Sequence, residues 1–342
     1  MTIKTFKLDN GEELTIDTSS DEFHSYERAA HQIGVLKKDE SFFMAQSLEF
    51  LRQQAFKPVY AEMKLLNGGL LSLNTAIPEG AETDTYEIHD STGEAKIISD
   101  FGDDIPTAEV LSEPVSHGIK SLAGSYIYSI QDMRRDKMVN RPGYSVVTNK
   151  MMAARMSVDQ KLERMLGFGS IEHGITGMFN NAQVPVTAVA ASGTGASTLW
   201  ASKSGQQILD DISSAIDDIG NLTDDNEAPD TMIVSGPGYR LMEKLALDQT
   251  NYSGMSVLKY VETQYSLKVV KMQQLKKAFN GGNDSGFCLY KNSQFKLEGV
   301  LPIRLRPHAP QIKNLATTNI LEARCGGTRV FFPYSMGIHT GI

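Results

Sequence analysis

Apolar residues recur at helical spacing in two long stretches of the chain. Between positions 145 and 166 they fall at Val147, Met151, Ala154, Val158, Leu162 and Met165, in steps of four, three, four, four and three. That spacing lines one stripe of a helix. Lys150, Arg155, Lys161 and Arg164 take the other face. At about 1.5 Å per residue such a helix is roughly 30 Å long, a spine suited to lie on a sheet. Ile208, Ile212, Ala215, Ile216 and Ile219 make a second stripe. Around it stand Asp210, Asp211, Asp217 and Asp218, with Asp224 and Asp225 beyond. Adjacent residues on a helix point in different directions, so these acidic pairs read as a solvated face and not as a cation site. Shorter helices are expected at 21–36, 41–55, 130–139, 239–247 and 256–264. Ser129 can cap the third of them, with Asp132 near a capping-box position. The helix at 41–55 has a broad apolar face (Phe43, Leu48, Phe50, Leu51) and should lie on a neighbour.

Other stretches carry strand patterns. Residues 1–20 read as a polar hairpin around Asn10-Gly11, a favoured turn dipeptide. Residues 83–88 alternate as a strand does, followed by a turn at Asp90-Ser91-Thr92-Gly93 and a break at 101–106. A returning strand is expected from about 108 to 130, with Tyr126 and Tyr128 on one face. A two-stranded ribbon cannot bury both its faces, so it needs a second domain or another subunit. Strands at 231–234 and 267–272 alternate with helices in the order α-β-α-α-β. This order indicates an α/β domain from about 175 to 305. Strand patterns return at 319–324 and 328–332.

Composition narrows the function classes. The chain has 342 residues, 41% of them hydrophobic, with 33 basic and 41 acidic side chains and a net charge of −8. Its hydrophobic fraction is that of a folded protein. The negative charge argues against a basic nucleic-acid coat, whose affinity comes from Lys and Arg neutralising phosphates. The two cysteines, Cys288 and Cys325, form no CxxC pair, which argues against a zinc ribbon or thioredoxin-type site. No apolar signal region opens the sequence and no run of about 18 apolar residues occurs, so a cytosolic start without a membrane is expected. The sequons at Asn221, Asn251 and Asn283 then read as chance matches.

A search for chemistry returns little. There is no Walker A string, no dinucleotide-binding glycine triplet and no G-x-S-x-G elbow. The seven histidines form no HxH, HxxxH or HExxH pair, and His173 reads as a loop residue. The basic strings at 268–277 and Arg304-Leu305-Arg306 favour a contact with another subunit over nucleic acid. What remains is architectural: an arm, a ribbon, a spine helix, an α/β domain and a β return. Such projections suit a protein whose burial is completed by copies of itself.

Several strings resemble the major capsid proteins of tailed bacteriophages and prophages, which share their fold with encapsulins. They are Gly93-Glu94-Ala95-Lys96-Ile97-Ile98-Ser99-Asp100 with Asp103-Asp104-Ile105-Pro106, and Tyr126-Ile127-Tyr128-Ser129-Ile130-Gln131-Asp132. Further on come Lys161-Leu162-Glu163-Arg164, Gly167-Phe168-Gly169 and Gly174-Ile175-Thr176-Gly177-Met178-Phe179-Asn180-Asn181. The last are Ala323-Arg324-Cys325-Gly326-Gly327, Pro333-Tyr334-Ser335 and Gly341-Ile342. Together they cover about 40 to 342.

The resemblance implies an α+β capsid fold. Its parts would be an N-terminal arm (1–56), a peripheral domain (57–174) with an extended β-ribbon at about 83–108 and a spine helix at 145–166, an α/β axial domain (175–308), and a C-terminal return to the peripheral domain (309–342). It implies a structural protein that is not an enzyme. Pentamers and hexamers would form an icosahedral virion shell around double-stranded DNA, without catalytic, cofactor-binding or metal residues. Scaffolding, portal and decoration proteins are the further partners it implies. The inter-subunit residues would be Asp90, Gly93, Lys96, Phe101 and Asp104 on the ribbon, and Lys150, Arg155 and Arg164 on the spine. Some relatives crosslink subunits through Lys–Asn bonds; Lys96 with Asn314 or Asn319, and Glu322, stand in comparable regions without a motif to mark them. An encapsulin-like compartment and an α/β hydrolase are the alternatives.

Overall fold

The computed structural model describes residues 3–7, 13–17, 62–97, 106–139, 145–247 and 254–342. Two compact units divide the chain, Met1–Phe56 and Lys57–Ile342. In the first, strands β1 (Ile3–Lys7) and β2 (Glu13–Asp17) pair antiparallel, as the Asn10-Gly11 turn dipeptide predicts. The helices expected at 21–36 and 41–55, and Phe101 and Asp104 of the ribbon, lie outside the described residues.

The second unit opens with a one-turn helix α1 (Lys64–Asn67) and a short strand β3 (Ser72–Asn74). The ribbon follows. Strand β4 (Thr83–Thr92) pairs antiparallel with β5 (Glu109–Gly118), from Thr83 opposite Gly118 to Thr92 opposite Glu109. Two sequence expectations need correcting. The strand does not turn at Asp90: Asp90 sits within the ladder, opposite Leu111, and pairing ends only at Gly93, where a Cβ would stand 2.8 Å from that of Ala108. The returning strand is also not continuous to residue 130. Ile119, 3% exposed, is drawn into the core, so the chain turns there and β6 (Lys120–Ser129) leaves the ribbon for another sheet.

Helix α2 (Ile130–Val139) begins with the expected capping box. The Ser129 amide donates to Asp132 Oδ2 at 3.2 Å, and the Asp132 amide donates to Ser129 Oγ at 3.1 Å. The spine helix α3 (Val146–Phe168) is capped by Ser145, whose Oγ accepts the Thr148 amide. It ends at Gly169, φ 61, where a Cβ would stand 2.2 Å from the Ile175 carbonyl oxygen; only glycine fits there. Ala154, Val158, Leu162, Met165 and Leu166 are buried against β6 and β14 (Ala316–Cys325). The expected stripe is not covered along its whole length, because Met151 is 42% exposed and Met152 49%.

β14 pairs with β6 over ten residues and carries β12 (Ile303–Pro307) and β13 (Gln311–Lys313) on its other side. β15 (Gly327–Val330) and β3 flank β11 (Leu297–Val300) in a three-stranded sheet. The largest sheet has the order β7 (Val186–Ala188), β16 (Met336–Thr340), β10 (Gly286–Tyr290), β8 (Thr231–Ser235) and β9 (Lys268–Met272). This corrects the expected C-terminal return. β14 and β15 rejoin the spine region, but β16 crosses into the sheet built from residues 186–290. The cause is packing: Met336, Gly337, Ile338 and His339 are all buried, and a strand apolar on both faces needs a central place in a sheet.

Three helices cover one face of that sheet: α4 (Gly205–Leu222), α5 (Gly236–Lys244) and α6 (Val257–Gln264). α5 starts three residues before the predicted point, since Ser235 caps it and Pro237 fits its first turn. Side chains alternate across the strands. Met232, Val234, Phe287 and Leu289 join the core with α4 to α6. Ile233, Cys288, Tyr290, Met336 and Ile338 join the core that holds Leu162 and Leu166 of the spine.

Glu163 ties the spine to the start of the unit. It is 2% exposed, and its two carboxylate oxygens accept the amides of Leu65 (3.0 Å) and Leu66 (2.9 Å), the first turn of α1. Burial pushes its carboxyl above the usual carboxylate range, against the pull of those amides. Replacing Glu163 by Ala leaves two buried amides without acceptors, so thermal or denaturant unfolding should show a loss of about 2–4 kcal/mol. A loss below the level of an ordinary surface substitution would show that water replaces the carboxylate.

Candidate functional site

The ribbon presents most of its surface to solvent. Beyond Tyr86, β4 is exposed on both faces, and Ile88, Val110 and Leu111 are 41%, 67% and 60% exposed. Glu87, Asp90, Glu94, Glu109 and Glu113 are exposed with them. Cross-strand side-chain pairs hold the ladder: Thr85 with Ser116, and His89 Nδ1 with Ser112, both at 2.7 Å.

The root of the ribbon is built differently. Arg329 on β15 has a side chain 0% exposed, and its Nε donates to Asp84 Oδ2 at 3.4 Å. Nη1 donates to the Gly326 carbonyl at 2.7 Å. Tyr86 meets Phe331 edge to face at 4.9 Å and stacks on His117 at 5.8 Å. Burial and the Arg329 charge hold the His117 ring below its ordinary range. Thus the ribbon is fixed at its base by an ion pair and three rings, while among the described residues its outer part is exposed. The sequence reading missed this root. The available signal was a lone arginine inside the apolar run Thr328-Arg329-Val330-Phe331.

Of the predicted contact residues, Asp90, Gly93 and Lys96 stand on the exposed ribbon. Arg155 is 66% exposed and lies 3.7 Å from Asp159 on the same helix; Arg164 is also exposed. Lys150 differs, because its ammonium reaches Asp132 at 3.0 Å and the Ile127 carbonyl at 3.1 Å, tying the spine to α2. Its ammonium thus holds the same Asp132 carboxylate that takes part in the capping box. Met133, Met138, Met151 and Met152 are exposed at this corner with Arg134 and Arg135. Asn319 is 9% exposed, and Glu322 is held by His308 at 2.6 Å.

The acidic face of α4 is only partly solvated. Asp210 and Asp217 are exposed, but Asp211 is 6% exposed. Its Oδ2 accepts Lys203 Nζ at 2.6 Å and Trp200 Nε1 at 2.9 Å. Burial pushes its carboxyl up, and Lys203 and Trp200 oppose that shift. The expectation of a wholly solvated face fails here because the loop before α4 folds its one tryptophan over the helix. No group of three or more His, Cys, Asp or Glu side chains that could hold a metal occurs among the described residues. His173 pairs with Ser170 at 3.0 Å as a local turn contact. Both cysteines are free and buried, and burial raises their thiols, that of Cys325 to about 11.

A family model described as "Major capsid protein" matches residues 93–342. The chain belongs to the major capsid protein family. No curated protein matches it in sequence. Its fold is that of the capsid of Myoviridae phage XM1, at TM-score 0.76 and 17% identity over 89% of this chain and 100% of that one. It is also similar to the capsid of cyanophage P-SCSP1u, at TM-score 0.58 and 10% identity over 90% and 97%. A virus-like particle from Pyrococcus furiosus aligns at TM-score 0.50 and 11% identity over 88% and 100%. At such identities the likeness concerns the fold. For a major capsid protein the ribbon and the spine corner are the informative surfaces, and the virion shell is its place. Among the described residues, no helix is long and apolar enough to cross a membrane.

Two predictions follow from the buried charges of this capsid protein. Asp84→Asn removes the carboxylate facing the buried Arg329 and should lower stability by about 2 kcal/mol, read by thermal unfolding; no change would mean that the ribbon root is held by its rings alone. His339, 4% exposed and stacked on Phe287 at 5.0 Å, has its ring held down to about 4 from 6.5 by burial, with Asp218 opposing. The unfolded chain therefore takes up this proton at a higher pH than the folded one. The stability His339 confers is full above about pH 6.5 and declines as pH falls toward 4, by up to about 3 kcal/mol. His339→Leu should flatten that limb of the stability–pH curve; an unchanged curve would assign the acid sensitivity elsewhere.

Proposed function

We propose that this capsid protein assembles into pentamers and hexamers of an icosahedral head that encloses double-stranded DNA. The observation carrying this reading is the ribbon, ten paired residues long and exposed beyond its root. A two-stranded ribbon is marginal in water, and exposed Ile88, Val110 and Leu111 want cover. An adjacent subunit supplies it. The methionine-rich corner of α2 and α3 offers a surface of complementary kind, since Arg134, Arg135 and Arg155 are exposed there and the ribbon's exposed side chains include Glu87, Asp90, Glu94, Glu109 and Glu113. Apolar burial would supply the attraction, and the charges would set register. DNA is held by enclosure, which a chain of net charge −8 favours over adhesion. The protein acts as a building block and not as a catalyst. Scaffolding, portal and decoration proteins are the further partners of such a head. The likeness to a virus-like particle supports a second reading, a compartment of the same build around a protein cargo; the content of recovered particles separates the two.

Deleting residues 90–105 should leave the subunit folded by circular dichroism while negative-stain microscopy shows few closed particles. Particles as numerous as those of the full chain would remove the ribbon from assembly. Arg155→Glu should weaken assembly while the melting temperature of the monomer stays within about 2 °C, as for surface substitutions. Equal effects on both would assign Arg155 an intramolecular role.

A further inference from the structure

Among the described residues, the five-stranded sheet ends at β7 on one side and at β9 on the other, and the surroundings of the two ends differ in charge. At one edge, β7 is exposed along all three residues, Val186 at 58%. Beside it runs α4, whose outward stripe carries Asp210, Ser214, Asp217 and Asp218. Two cavities of about 310 and 280 Å³ lie between α4 and β7, sharing Thr187, Asp218 and His339. His339 is 4% exposed, and its Nε2 has no hydrogen-bond partner. The cleft is therefore acidic and holds a buried polar atom without a partner. The cation nearest in sequence, Lys203, is already committed to Asp211 and the Ala190 carbonyl.

At the other edge stands β9, with Lys268 and Lys271 exposed and Lys276 and Lys277 exposed in the turn that follows. Lys259 on α6, and Arg240 and Lys244 on α5, are exposed on the elements flanking β9, against Glu243 and Glu262. This is the basic string at 268–277 that no motif explained.

We infer that the β9 edge of one copy docks against the α4–β7 edge of the next, head to tail, around each ring of the shell. The inference rests on the shell reading and names the contact that would close its rings. The two edges lie at opposite ends of one sheet, so a single chain cannot satisfy both. Pairing unlike patches makes a heterologous interface, and a heterologous interface that closes on itself produces a ring. An isologous contact through either edge would set like charges against each other, which costs affinity.

The test uses two full-length variants. Lys268→Glu/Lys271→Glu makes both edges acidic, and Asp210→Lys/Asp218→Lys makes both basic. Each alone should raise the subunit concentration needed for particles by about tenfold or more, while circular dichroism and melting temperature report an intact fold. Mixed one to one, each variant meets its complement; alternation closes only even-membered rings, so native mass spectrometry of the mixture should show hexamers that neither variant forms alone, while five-membered rings and closed particles stay absent. Single variants that assemble like the unmodified chain, or a mixture no better than its components, would overturn the contact. A second measurement covers a variant that folds poorly: Val186→Cys/Lys268→Cys subunits, oxidised during assembly, should give a ladder of linked multimers on a denaturing gel. A ladder ending at dimers, or monomers only, would overturn it too. Failure of the unmodified chain to form particles under any condition would count against the shell reading instead.

Discussion

The structure depends on one constraint: the five-stranded sheet is covered on both faces. Every residue of β8 and β10 is buried, and their side chains feed two cores alternately. One core holds α4 to α6; the other holds the C-terminal half of the spine helix. A sheet in that position is a shared wall, and shifting a strand by one residue would exchange the two sets of side chains. The same constraint explains the state of the charges inside. Asp211 has Lys203, Glu163 has two amides, Arg329 has Asp84, and His339 stays neutral beside Phe287. Each is a polar group taken out of water that the surrounding chain satisfies or discharges.

The ribbon and the α2–α3 corner show the opposite condition. Rigid anchorage ends at Tyr86, and beyond it apolar residues face solvent. An exposed apolar surface of this extent marks an interaction site. The contrast is informative: the cores pair Asp211, Glu163 and Arg329 with groups from distant parts of the chain, while among the described residues the outer ribbon stays exposed. That asymmetry fits a protein of the major capsid family, in which identical copies assemble.

Much of this was legible from residue spacing. The stripe of α3, the stripe of α4, the Ser129–Asp132 capping box and the Thr231–Val234 strand appear where periodicity and capping chemistry predict them, because each is a local property. The misses are non-local. Met336–Thr340 reads as a strand, but nothing within it says which sheet it joins; burial on both faces decides that. Asp211 looks solvated beside Asp210 until the loop carrying Trp200 and Lys203 folds over it. The break at Ile119 splits a run that looks continuous, because one buried side chain outweighs strand propensity on either side. Arg329 and Glu163 find their partners across 245 and 98 residues of sequence, a distance at which pattern carries no information.

Charge distribution gives the surface its direction. A net value of −8 hides a polarised molecule: the ribbon and α4 are acidic, while α2, the outer face of α3 and β9 are basic. Uniform charge of that size would only keep copies apart. Alternating patches instead make some approaches favourable and others costly, and they do so differently for each pair of surfaces. Apolar contact is non-directional and would let the ribbon settle on any exposed methionine. Patches of opposite sign would restrict such a contact to fewer orientations. Exposed apolar residues and charged patches thus offer different things to any contact: the first adds strength, the second selects an orientation.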